Sequence, residues 1–219
     1  MAVEIPQINI GRQHGEPLNI TQMFPLPIDT PFGSLAVKFM TVLGRLDHVN
    51  GTIQEVFRTH EAAKANRLGR LSVRHHMLLA EEVVYWMRKT ADEIIGLVAF
   101  LAERQSTGKW PTKLAPFPIA DVLKRPPAWV RPHLAFVARL NEVSNAYKHS
   151  FVNSELNLIG RDEPGVYALA LKDNDLDNHA PELHNIRFAE LVTRFDAFYQ
   201  GACEQLRACG VPHMERAPT

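Results

Sequence analysis

Apolar residues recur along most of the chain at alternating steps of three and four, the signature of helices that each bury one stripe. Leu35, Phe39, Val42, Leu46, Val49, Ile53 and Val56 form the first run and predict a helix over about 34–64. Asn50-Gly51 interrupts that run. Glycine costs ~1 kcal/mol against alanine inside a helix, so a kink or break is expected there. Ala80, Val83, Met87, Thr90, Ile94, Leu97 and Leu101 repeat the spacing and predict a second helix over about 70–106, with Tyr85 and Trp86 widening its apolar surface. Gly108 and Pro111 supply its stop signals. Residues 107–127 form a connection with five prolines from Pro111 to Pro127, leaving room for one helical turn at 119–124. A third helix is expected from Pro127 or Ala128 to about 153, with Val137, Leu140, Ser144, Tyr147 and Phe151 as its inner stripe.

Then the period changes. Leu156–Ile159 and Val166–Leu171 flank Gly160-Arg-Asp-Glu-Pro-Gly165, which reads as a β-hairpin around a Gly/Pro turn. Residues 172–184 read as an acidic loop, and a last helix is expected over about 185–208, with Phe188, Leu191, Phe195, Phe198 and Leu206 among its apolar positions. At the other end, Pro6, Pro17, Pro25, Pro27 and Pro31 argue against a long helix or central strand in residues 1–32. Ile5, Ile8, Ile10, Phe24, Leu26 and Ile28 suit an extended arm anchored on its own domain or on a second subunit. The expected fold is mainly α: a four-helix up-and-down-like bundle with a small β-hairpin (about 155–172) inserted before the last helix. An extended Pro-rich N-terminal arm (1–32), a helical bundle domain (33–209) and a tail (210–219) divide the chain.

The 219 residues carry 24 basic and 24 acidic side chains, and 46% are hydrophobic. This balance excludes wholesale disorder and a histone-like polycation. Two cysteines, Cys203 and Cys209, exclude a disulfide framework and fit reduced thiols. The segment Met1–Pro6 lacks the basic and apolar regions of a signal peptide. The apolar stretch Ile94–Leu101 is far short of the ~20 residues of a membrane span. A cytoplasmic protein with no membrane partner is expected. Net neutrality is a cancellation. Arg58, Lys64, Arg67, Arg70 and Arg74 accompany one acid, Glu61; Lys124, Arg125, Arg131 and Arg139 lie in an acid-free stretch; residues 162–190 hold seven acids against Lys172 and Arg187. The basic segments suit phosphates, or pair with the acidic region of the same or another subunit.

Several chemistries are absent from the sequence. No G-x-x-x-x-G-K-[ST] or G-x-G-x-x-G phosphate loop occurs. His60-Glu61-Ala-Ala-Lys64 has Lys where a zinc helix needs its second His. Asp173-Asn-Asp175-Leu-Asp177 begins like a calcium loop, but Asn178 and His184 stand where Gly and Glu are required. Ten histidines invite a metal reading, yet His75 and His76 point about 100° apart on a helix, His179 and His184 are loosely spaced, and no Glu-x-x-His pair exists. No cofactor and no metal are expected.

The third helix carries the one suggestive constellation, Arg139-Leu-Asn-Glu-Val-Ser-Asn145-Ala-Tyr-Lys148-His149. With Leu140 at the centre of the inner stripe, His149 lies about 180° away, and Asn145 is its i,i+4 neighbour on the outer side. An imidazole beside an amide and an ammonium equips a helix for acid–base work on a phosphodiester, or for hydrogen bonding across a dimer interface.

The pair Asn145-x-x-x-His149, late in a long helix, resembles the HEPN superfamily of all-helical domains, found among ribonuclease toxins, defence systems and companions of nucleotidyltransferases. The resemblance implies a homodimer in which two motifs meet in a cleft. In active members an Arg four to six residues before the His completes the site. Here Ser144 stands at the motif Arg position, and Arg139 lies ten residues before His149, projecting about 80° from it. The resemblance therefore implies a non-catalytic dimeric module, binding or regulatory, in a defence or stress setting, with RNA or a nucleotide as candidate partner. The alternatives are a metal-independent endoribonuclease using His149 as acid/base with Asn145, Lys148 and Arg139 assisting, and a helical protein-interaction domain with no nucleic-acid role.

Overall fold

A computed structural model describes residues 5–17, 26–65, 70–113, 118–151 and 162–209. The chain is mainly helical, with a small two-stranded antiparallel hairpin before the last helix. The helices are α1 (Leu35–Lys64), α2 (Arg70–Thr107), α3 (Pro118–Lys124), α4 (Leu134–His149) and α5 (Phe188–Cys209). The strands are β1 (Gly165–Ala170) and β2 (Glu182–Arg187), each paired to the other along its full length. Among the described residues no helix is long and apolar enough to cross a membrane.

α1 follows its sequence pattern. Ser34 caps it by accepting from the Val37 amide, and every member of its predicted stripe is buried. The expected break at Asn50-Gly51 does not occur: the helix runs uninterrupted from Leu35 to Lys64. Asn50 is instead fully buried, with its amide spent on the N-terminal arm. α2 is the axle of the fold and packs against α1, α3, α4, α5 and β1. This explains why Val83, Val84, Met87, Ala91, Ile94 and Ile95 are buried around more than one face.

Two boundaries shift from expectation. The helix foreseen from residue 127 begins later: Pro127–Val130 make turns, Arg131–His133 form a 3-10 turn, and α4 starts at Leu134. Pro132 lies inside that turn, where its missing N–H costs nothing. α4 ends at His149, and Phe151, foreseen on the inner stripe, is 85% exposed. The hairpin also pairs differently. β1 matches the run expected at 166–171, but its partner is Glu182–Arg187, where the sequence pattern predicts loop and helix start. The run Leu156–Ile159 lies outside the described residues. Val166, Ala168, His184 and Ile186 face inward, and α5 begins at Phe188.

The arm docks on its own chain. Ile8, Ile10 and Leu26 are buried in the core, whereas Ile28 is 74% exposed. Phe24 and the foreseen tail (210–219) lie outside the described residues.

Candidate functional site

α4 ends in a staple that fixes its last turn. The Asn174 side chain donates from Nδ2 to the His149 carbonyl (2.8 Å), and its Oδ1 accepts from the Phe151 amide (2.7 Å). The Ser150 hydroxyl accepts from the Leu171 amide (3.1 Å). Asp173 and Asn174 sit at φ of 54° and 52°, in the left-handed region that Asx side chains tolerate better than most. The short acidic segment after β1 thus caps α4, while Asp175 accepts from the amides of Asp177 and Asn178. The Asp175 carboxylate thus serves the loop's own backbone. Among the described residues no group of three His, Cys, Asp or Glu side chains could hold a metal ion.

Asn145, Lys148, His149 and Arg139 are all exposed, as the outer-face reading requires. They do not converge. Lys148 and Arg139 are nine residues apart, so they leave α4 about 180° from each other. Lys148 turns to α2, its ammonium 5.1 Å from the Tyr85 ring centroid. Arg139 turns to the hairpin, its guanidinium reaching the Asn185 carbonyl (3.4 Å). Asn145 and His149 stand on the ridge between. Ser144 is 1% exposed on the inner face, and its hydroxyl has no hydrogen-bond partner.

Beside Lys148 lies a polar seam that pattern reading missed. The Arg88 side chain, nearly buried, donates from Nε to Asn141 Oδ1 on α4 (3.0 Å) and pairs with Asp92 one turn along α2. Asp92 in turn accepts from the Ile119 amide (3.0 Å), capping α3. Burial lowers the pKa of the Arg88 guanidinium. Burial, then repulsion from Arg88 and Lys89, lowers that of Lys148. The available signal was a charged residue beside Met87 in the apolar stripe of α2, a place tolerated only with a partner. On the other flank of α4 the Tyr147 hydroxyl donates to the Tyr167 carbonyl (2.9 Å), and burial raises its pKa.

The basic and acidic segments do meet within the chain, through backbone. Lys64 donates to the Asp162 carbonyl, and Arg139 to that of Asn185. Glu163 pairs with Arg187. A cavity of about 720 Å³ opens between α1, α2 and α3, with Phe32, Leu35, Val42 and Phe100 on its apolar wall and Arg45 and Glu93 on its polar one. None of the four candidate residues lines it.

Comparison with protein families, with curated proteins and with solved structures finds no match.

Proposed function

We propose that this chain is a HEPN-like, non-catalytic binding or regulatory module that acts as a homodimer through the exposed end of α4. The observation that carries the reading is the division of the four candidate groups around that helix. Acid–base cleavage of a phosphodiester needs a cation near the imidazole to stabilise developing charge. Lys148 is drawn to Tyr85 and Arg139 to the hairpin, so neither is held beside His149. Position 144 turns into the core, where a motif Arg would be carried away from the imidazole. What remains at the surface is an amide and an imidazole on one ridge, over a helix end made rigid by Asn174. That ridge suits hydrogen bonding to a second copy or to RNA. The defence or stress setting follows from the resemblance alone.

Two measurements test it together. Sedimentation at micromolar concentration is expected to give a dimer that Asn145→Arg and His149→Glu weaken. Incubation with mixed RNA is expected to show no cleavage above background. A monomer at all concentrations removes the dimeric module. Cleavage that disappears in His149→Ala replaces it with the ribonuclease. RNA titration across salt separates the partners, because contacts to phosphate must weaken steeply as salt rises.

A further inference from the structure

The arm is held at residues 8 and 9 through its backbone as well as through its buried side chains. At Ile8, the amide donates to Asn50 Oδ1 and the carbonyl accepts from Asn50 Nδ2, both at 2.9 Å. At Asn9, the amide donates to Asp196 Oδ1 (2.8 Å) and the carbonyl accepts from Gln200 Nε2 (2.6 Å). Four consecutive backbone polar groups are therefore satisfied by side chains of α1 and α5, with no strand pairing. Ile8 and Ile10, two apart as in any extended segment, are 1% and 5% exposed. Asn9 between them faces outward. Gly11, at a φ of 80°, then turns the chain toward Asp47, which accepts from the Gly15 amide and pairs with Arg12 and His14.

The receiving side chains stand on two helices, α1 and α5. Asn50 projects from the middle of an unbroken helix. Asp196 and Gln200 are one turn apart on α5 and hydrogen-bonded to each other at 3.0 Å. Main-chain hydrogen bonds for affinity, with sockets for alternate side chains, are the elements of extended-peptide recognition.

We propose that the groove between α1 and α5 is a binding site for an extended peptide bearing apolar residues two positions apart, and that the chain's own residues 8–10 occupy it in cis. Asn50 reads the N–H and C=O of one residue, Asp196 and Gln200 read those of the next, and the two apolar side chains select the sequence. Tethering gives the resident arm an effective concentration on the order of millimolar, so a peptide in trans enters only by displacing it.

The experiment keeps the full chain. A protease site is placed within residues 18–24, the protein is folded, and it is then cut, leaving the arm bound without a covalent link. A fluorescein-labelled synthetic peptide of residues 1–17 is added, and exchange is followed by anisotropy, with circular dichroism reporting the fold. The labelled peptide is expected to replace the resident fragment. A peptide with Ile8→Ser and Ile10→Ser is expected to bind at least ~100-fold more weakly. Gln200→Ala in the cut chain, an exchange outside the core, is expected to weaken binding several-fold while the fold persists. Equal exchange of the serine peptide would overturn the proposal. So would loss of the fold on cutting, or a fragment that never exchanges, since either makes the arm a fixed part of the core.

Discussion

The hydroxyl of Thr59 lies 2.8 Å from Nδ1 of His76, between α1 and α2. The same hydroxyl lies 2.9 Å from the Glu55 carbonyl and 3.0 Å from the Val56 carbonyl, both of which accept from it. Burial first, then the neighbouring His60 ring, lowers the His76 pKa to about 4. A histidine with a folded pKa below its unfolded value of 6.5 is kept neutral by folding. Its contribution is complete above pH 6.5 and is lost as pH falls toward 4, to a limit of about 3 kcal/mol. Urea midpoints from pH 7 to 4 should fall less steeply in His76→Gln than in the parent. Parallel curves would show that His76 is not the group responsible.

Asn50→Ala leaves a buried amide and a buried carbonyl of Ile8 without partners, at a cost of about 2–4 kcal/mol. Asn50→Asp retains the acceptor and loses the donor, and introduces a buried charge. It should be no more stable than the alanine variant. Thermal unfolding of the three proteins checks the order.

A Cβ added at Gly51 would stand 2.7 Å from the His14 ring. The helix gains ~1 kcal/mol from the replacement of glycine by alanine, and displacing the His14 ring from Asp47 offsets part of that gain in Gly51→Ala. In a His14→Ala background the clash is absent, and the same substitution should stabilise by about 1 kcal/mol. A double-mutant cycle measures the difference; additivity would sink this account.

Ser144→Ala removes a buried hydroxyl that has no partner, and should be neutral or stabilising by up to about 1 kcal/mol. Ser144→Arg places an arginine five residues before His149 but drives a guanidinium into the core. It should destabilise by more than about 3 kcal/mol and confer no nuclease activity. A soluble, folded and RNA-cleaving Ser144→Arg protein would contradict the placement of this side chain.

The helices were legible because their stripes are local. Leu35 through Val56 announce α1 whatever they pack against. The break expected at Asn50-Gly51 is absent for the complementary reason. Propensity argues for a break, but the arm, 42 residues away, supplies the partner that makes a buried Asn worthwhile and fills the space over the glycine. β2 escaped notice because one of its two inward residues is His184, so the alternation is not one of apolar with polar. At the candidate site the exposure of Asn145 and His149 was readable from helical phase. The diversion of Lys148 to Tyr85 and of Arg139 to Asn185 was not, since both partners belong to other elements.

The arm also sets an order of events during synthesis. Asn9 bonds to residues 187 and 191 positions later in the chain. At about 5–20 residues per second the ribosome needs roughly ten to forty seconds to span that interval. Throughout it, Ile8 and Ile10 are without half of their groove. Closure of the arm onto α5 therefore waits until α5 has been made. A nascent chain is the form of this protein in which those two isoleucines are most available to a chaperone.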